Sequence, residues 1–298
     1  MKRKKRRFMP EGDTIWRAAR TLNTALAGKI VTGFETVLPK LARVDEDTPL
    51  IGRVIESVTA SGKWMEMRFA GDLILLTHML MSGSWHIYRT GEMWKRRRYD
   101  MRIVVATADF VAVAFRVPVA EFHTAATLAR RGAVRNLGPA LLKADFQPSE
   151  AIDNLSAQPE MEIGSALLRQ WIIAGVGNVF KSEVCFAAHV NPFRKIASLS
   201  SIELREVVSQ ADRLLRANVL DTSENKIVTY TGFRRTTGRA DASARLWVYG
   251  RTNEPCRLCG TVIRSRRQGS EARLTFWCPN CQKFSVSTIR DSESVSAD

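Results

Sequence analysis

The chain has 298 residues, 45% hydrophobic residues and a formal net charge of +15. That length predicts about two domains with more than one core, and a charge of this size predicts a polyanionic partner, nucleic acid first. No apolar run approaches the roughly 18 residues of a membrane span, and the basic start MKRKKRRF lacks the apolar stretch of a secretory signal.

Lys2-Arg3-Lys4-Lys5-Arg6-Arg7 carries six of the positive charges, so +9 remains without it. Residues 1–9 read as a basic extension that the mature protein need not carry. A second methionine, Met9, precedes Pro10-Glu11-Gly12. A chain begun at Met9 and trimmed by one residue would expose a secondary amine on Pro10, whereas a chain begun at Met1 locks that nitrogen in an amide.

From residue 10 to 27, Ile15, Ala18, Ala19, Leu22, Ala25 and Leu26 recur at helical spacing, with Asp13 or Thr14 as candidate N-cap. Short β-prone runs follow: KIVTGFETV, RVIESVTASG, WMEMRFAG, DLILLTHML, MRIVVATAD and FVAVAFRV. Several short strands in succession predict a sandwich or barrel, giving a first domain over residues 10–135. Gly138-Pro139 and Pro148 mark a linker over 136–149. A helical domain over 150–246 is read from AIDNLSAQ, GSALLRQWIIAG, NVFKSEVCFAAHV and SIELREVVSQADRLLRANVL, with the Gly- and Arg-rich GFRRTTGRADASARLW as a loop. Within it, AGVGN reads as a glycine turn between two helices. Gly175 and Gly177 allow positive φ and close backbone approach, and the amides at Asn178 could receive an anion. By itself this segment reads first as an ordinary helical hairpin.

Residues 247–284 hold CRLC and CPNC, with 18 residues between Cys259 and Cys278. Two such knuckles, Cys256 with Cys259 and Cys278 with Cys281, can close a thiolate tetrahedron around one zinc ion, iron being the other metal that suits it. With no signal peptide in view, a reducing cytosol is expected, and a metal is favoured over disulfides. Four protein ligands leave no open position, so the zinc would be structural. The intervening hairpin carries Arg264, Arg266, Arg267 and Arg273, suited to phosphate contact. Cys185 stands apart and reads as a small buried residue. The polar tail over 285–298 reads as disordered.

In this order, PEG, SGK, HMLMSG, LLRQWIIAGVGNVFKSE and LWVYGRTNEPCRLCG…RLTFWCPNC resemble the formamidopyrimidine-DNA glycosylase and endonuclease VIII family over about Met9 to Lys283. PEGDT and RLWVYGR look most like the endonuclease VIII branch. The resemblance implies an α+β multidomain fold: an N-terminal β-sandwich with a leading helix, a helix-two-turn-helix domain and a C-terminal zinc finger. It implies a monomeric bacterial cytosolic DNA-repair enzyme acting on damaged double-stranded DNA, with single-stranded or bubble DNA as further substrates. Such an enzyme would excise oxidised bases, pyrimidines first, and nick the abasic strand by β/δ-elimination. Carried over by motif, Pro10 would be the nucleophile, Glu11 the proton shuttle, and Lys63 a phosphate contact that supports catalysis. Asn178 and Arg273 would grip DNA phosphate, Arg273 also aiding elimination. Met81 would fill the gap left by a base that must leave the stack to be reached. Thr14 departs from the pattern, standing where many relatives carry a second glutamate. If Pro10 stayed blocked, the chain would instead be a non-catalytic zinc-containing damaged-DNA-binding protein.

Overall fold

The computed structural model describes residues 10–220, 235–237 and 244–284. The basic extension, the tail and most of the Gly- and Arg-rich loop lie outside the described residues.

Helix α1 (Gly12–Leu26) buries Ile15, Ala18, Ala19, Leu22, Ala25 and Leu26, the face its periodicity predicts. Its N-cap is Glu11, not Asp13 or Thr14. Asp13 lies inside the first turn, fully buried. The first lobe continues through β1 (Gly33–Thr36), α2 (Pro39–Asp47), β2 (Ile55–Ser61), β3 (Trp64–Phe69), β4 (Leu73–His78), β5 (Ser84–Arg89), β6 (Met101–Ala106), β7 (Phe110–Phe115) and β8 (Val119–His123). The strands form two antiparallel four-stranded sheets, ordered β1-β6-β7-β5 and β2-β3-β4-β8. Met65, Met67, Leu75, Trp85, Ile103, Ala112 and the apolar face of α1 fill the space between them. Strand β4 is apolar from Leu73 to Leu76 because both its faces are covered. Leu73 and Leu75 point inward, while Ile74 and Leu76 pack under Leu128 of α3 (Ala125–Arg130) and Val134 of α4 (Gly132–Arg135). Strand β7 does the same, its outer face packing on Tyr88 and Trp94.

The structure differs from the sequence reading in several elements: α2, β8, α3 and α4 have no counterpart in that reading, and three further differences bear on the lobes. The run KIVTGFETV yields only four strand residues. SWHIYR, not read from the sequence, forms β5. The expected helix over GSALLRQWIIAG shrinks to α6 (Ile163–Ala166), after which the chain turns repeatedly. Its apolar residues are buried nonetheless: Leu167, Ile172, Ile173 and Val176 join the second core with α5 (Pro148–Ser156), α7 (Asn178–Ala187) and α8 (Ser201–Leu220). Pro148, read as a breaker, opens α5 at a position where its missing N–H costs nothing. Cys185 is fully buried, and burial pushes its thiol up to about 12. Strands β9 (Arg264–Gln268) and β10 (Arg273–Trp277) pair as the finger hairpin, with Phe276 and Ile263 packed on Phe186 of α7. Among the described residues, no helix is long and apolar enough to cross a membrane.

Candidate active site

The two glycines of AGVGN serve different ends. Gly175 sits at φ +112°, where a side chain is strained. Its carbonyl accepts the Gly12 amide at 2.9 Å. A Cβ on Gly12 would come within 2.8 Å of the Gly175 Cα, so the start of α1 docks backbone to backbone on this turn. Gly177 has an ordinary φ of −123°. What it supplies is space: a Cβ there would meet the Glu11 Cδ at 2.2 Å.

Glu11 fills that space. Its side chain is buried, and its carboxylate accepts the amides of Val179 at 2.8 Å and Phe180 at 3.2 Å. These are orphan donors of the first turn of α7, at the positive end of the helix dipole. The anion seat expected near Asn178 therefore exists, but the protein's own carboxylate occupies it. Pro10, half-buried, precedes Glu11 directly.

Lys63 lies on the two-residue turn between β2 and β3, with Gly62 at φ +58°. A Cβ on Gly62 would stand 3.1 Å from the Ala174 Cβ. The lysine hairpin and the Gly12 backbone thus touch consecutive residues, Ala174 and Gly175. Gln170 holds this turn: its Nε2 donates to the carbonyls of Leu168 and Val176, and its Oε1 accepts the Gly175 amide. Sequence reasoning missed Gln170, because a glutamine within an apparent helix carries no mark of a loop clamp.

Asn178 is buried and turned toward the finger. Its Nδ2 donates to the Leu274 carbonyl at 3.0 Å, and its Oδ1 has no partner among the described residues. Arg273, beside Leu274, is partly exposed and ion-paired at 2.9 Å with Glu271 on the hairpin turn. A second staple between α7 and the finger was also missed. Fully buried Lys181 donates to Thr275 Oγ1 at 2.5 Å, which donates to Gln268 Oε1, while Gln268 Nε2 donates to Glu162. Burial lowers the Lys181 pKa to about 8. Buried Glu183, also on α7, accepts the amides of Trp247, Val248 and Tyr249 and so fixes the lead-in to the finger.

Met81 stands 51% exposed beside Leu80, itself 48% exposed with φ +45°. Neither side chain belongs to the sandwich core. His78 shapes this tip: its Nδ1 accepts the Leu80 amide at 3.0 Å, which leaves its proton on Nε2. Burial, with the nearby charges of Lys63 and Arg131, lowers its pKa to about 4. Thr14 Oγ1 donates to Asp13 at 3.3 Å.

The four cysteine sulfurs lie within 4.8 Å of one another, with Sγ–Sγ separations of 3.8 Å for Cys256–Cys281, 3.5 Å for Cys259–Cys278 and 3.4 Å for Cys259–Cys281. A zinc tetrahedron with ~2.3 Å legs has sulfur edges of about 3.8 Å. The Leu258 and Cys281 amides point at Cys256 and Cys278 Sγ, both at 3.5 Å. This is a closed four-thiolate site that fits one structural Zn2+.

Comparison with known proteins follows the same division. Residues 9–117 match the formamidopyrimidine-DNA glycosylase N-terminal domain, 137–229 the formamidopyrimidine-DNA glycosylase H2TH domain, and 253–283 a zinc finger found in FPG and IleRS. The "Probable endonuclease 8 2" of Streptomyces coelicolor is 41% identical over 277 residues, covering 92% of this chain and 94% of that protein. The "DNA-(apurinic or apyrimidinic site) lyase Nei2" of Mycolicibacterium smegmatis is 39% identical, covering 93% of this chain and all of that one. Among solved structures, Lactococcus lactis Fpg in complex with abasic-site DNA superposes with a TM-score of 0.76 over 92% of this chain and all of that one, at 20% identity, a likeness of fold. Identity sustained across all three parts of the chain places it in the formamidopyrimidine-DNA glycosylase and endonuclease VIII family.

Proposed function

We propose that this protein is a bifunctional DNA glycosylase and abasic-site lyase of base excision repair that removes oxidised bases, pyrimidines first, from duplex DNA. The observation that carries the reading is the seating of Glu11. Its carboxylate is fixed on the α7 amides immediately after Pro10, and the Lys63 turn lies on the same glycine turn.

With Pro10 at the mature N-terminus, its neutral amine attacks C1′ of the extruded nucleotide. The glycosidic bond breaks, its electron pair leaves with the base, and a proton supplied through Glu11 neutralises that base. Loss of the proline proton and opening of the sugar ring, whose O4′ takes up a proton, give an iminium at C1′. Removal of a C2′ proton then expels the 3′ phosphate, and a second elimination expels the 5′ phosphate. An α-amine titrates near 8 against about 10.4 for lysine, so more of it is neutral at pH 7. Lys63 and Arg273 hold the flanking phosphates. Asn178 adds its remaining amide hydrogen at the finger junction, and Met81 with Leu80 fills the vacated stack. Zinc holds the finger in shape and takes no part in bond making. The relative named "DNA-(apurinic or apyrimidinic site) lyase Nei2" supports the lyase step. A single chain carries every proposed group, which supports action as a monomer.

Borohydride trapping on duplex DNA containing an oxidised pyrimidine, with intact-mass measurement of the native protein, tests this reading. A covalent adduct on Pro10 in a chain lacking residues 1–9 is the expected result. DNA binding without an adduct, by a chain that keeps Met1, would make it a damage-binding protein instead.

A further inference from the structure

The finger turn brings together three charged side chains from two parts of the fold. Arg273 begins β10, and its Nε and Nη2 both lie 2.9 Å from Glu271 Oε2. Arg169 leaves the chain just after α6, and its Nη1 lies 4.0 Å from the other oxygen, Glu271 Oε1. One carboxylate is therefore shared, oxygen by oxygen, between an arginine of the helical domain and an arginine of the finger.

The placement is fixed from below. A Cβ on Gly269 would stand 3.1 Å from Ser165 Oγ of α6, and Gln268 Nε2 donates to the Pro192 carbonyl at 2.7 Å. Beside Arg273, the Leu274 carbonyl holds Asn178, so this cluster borders the proposed active site. All three side chains remain open to solvent, Glu271 most of all at 56%.

Two guanidinium groups around one carboxylate leave a local excess of one positive charge. A phosphodiester presents two anionic oxygens much as a carboxylate does, and arginine forks recognise both. The resident ion pairs are exposed, a setting in which such pairs contribute little. An incoming phosphate can therefore replace Glu271 at small cost.

We propose that Arg169 and Arg273 form a two-arginine seat for one DNA phosphodiester, and that Glu271 occupies this seat in the DNA-free protein as an internal stand-in. The inference rests on the DNA-repair reading above and extends it. It adds Arg169 as a phosphate contact and gives Glu271 the role of a competitor that lowers affinity until a strand displaces it.

The test is binding of the full zinc-loaded chain to a duplex with a tetrahydrofuran abasic analogue, measured from low to moderate salt. The proteins compared are wild type, Glu271→Gln, Arg169→Gln and the double variant, each checked for zinc content and unfolding midpoint. Glu271→Gln should bind about 3- to 10-fold tighter. Arg169→Gln should bind more weakly, with a log–log salt slope shallower by about 0.9, the signature of one lost phosphate contact. In the double variant the gain from Glu271→Gln should shrink, because half of the seat is missing. Folded single variants that both stay within twofold of wild type at every salt concentration would overturn the seat. If wild type itself neither binds this duplex nor nicks one carrying a natural abasic site, the DNA-repair reading falls and the seat with it. If wild type does both and the variants match it, only the seat falls.

Discussion

Replacing Gly177 by alanine should displace Glu11, the proposed proton shuttle, which lies 166 positions away in the sequence. The backbone at Gly177, with φ −123°, accepts alanine without strain. The added Cβ, however, would sit 2.2 Å from Glu11 Cδ, 2.3 Å from Cγ and 2.7 Å from Oε1. No rotamer adjustment of a fully buried side chain absorbs such an overlap, so the carboxylate must leave the Val179 and Phe180 amides. Hydrogen bonds to a charged group are each worth about 1.5–3 kcal/mol. Because the expelled carboxylate regains water, a net loss of about 2–4 kcal/mol is expected, with two buried amides left unpaired. For a chain of this size that corresponds to a fall of roughly 5–15 °C in the unfolding midpoint. Base excision should fall by about 10²–10⁴, the range for losing a positioned proton donor. Single-turnover excision of an oxidised pyrimidine, with thermal unfolding alongside, measures both. The decisive comparison is a double-mutant cycle with Glu11→Gly. With the Glu11 side chain gone, Gly177→Ala should cost almost nothing further. Additive costs, or wild-type excision by Gly177→Ala alone, would refute the reasoning.

Other outcomes follow from the same geometry. Glu11→Gln, which keeps the shape but cannot give a proton, should reduce base excision far more than it reduces stability; normal strand cleavage of a base-containing substrate would count against Glu11. Lys63→Ala should slow nicking of a preformed abasic site by about 10²-fold, as for loss of one charged stabiliser of a developing anion, read in a gel assay at saturating enzyme. Zinc removal by a strong chelator, or Cys278→Ser, should abolish the finger's fold and weaken DNA binding sharply, followed by metal analysis and fluorescence anisotropy. Stability should fall on acidification from about pH 6.5 downward. His86 is fully buried between Ser84 Oγ and Tyr88 Oη, and burial with the charges of Arg96 and Lys95 lowers its pKa to about 3. His78 is lowered to about 4. The unfolded chain binds these protons near 6.5 while the folded chain refuses them, so protonation favours unfolding across that window. Midpoints that stay flat between pH 6.5 and 4 would contradict both assignments.

Much of the architecture was written in local patterns. The apolar stripe of α1 and the 20-residue α8 have strong helical periods, and the cysteine spacing announced both the hairpin and its metal. Strand β5 escaped because Trp85, His86, Ile87 and Tyr88 are buried on both faces of the strand, which erases alternation. GSALLRQWIIAG looked helical because its apolar residues are buried, yet Gln170 ties the chain into turns through three backbone groups. The motifs located Glu11, Gly177 and Asn178, but not the contacts among them. That a glycine is vacant so that a distant carboxylate can enter is a tertiary fact with no local signature. Lys181 and Glu183 were opaque for the same reason: within a helical repeat they read as solvent-facing charges, and only the packed finger shows them buried.

The attachment of Glu11 to α7 also bears on how the two lobes can move. Its backbone belongs to the sandwich, and its carboxylate rides on amides of the other lobe. A swing that separated the lobes would pull the proposed proton donor off these amides, so in this reading the chemistry requires the lobes to be closed. Lobes produced as separate polypeptides, however well each folds, should be catalytically silent until recombined.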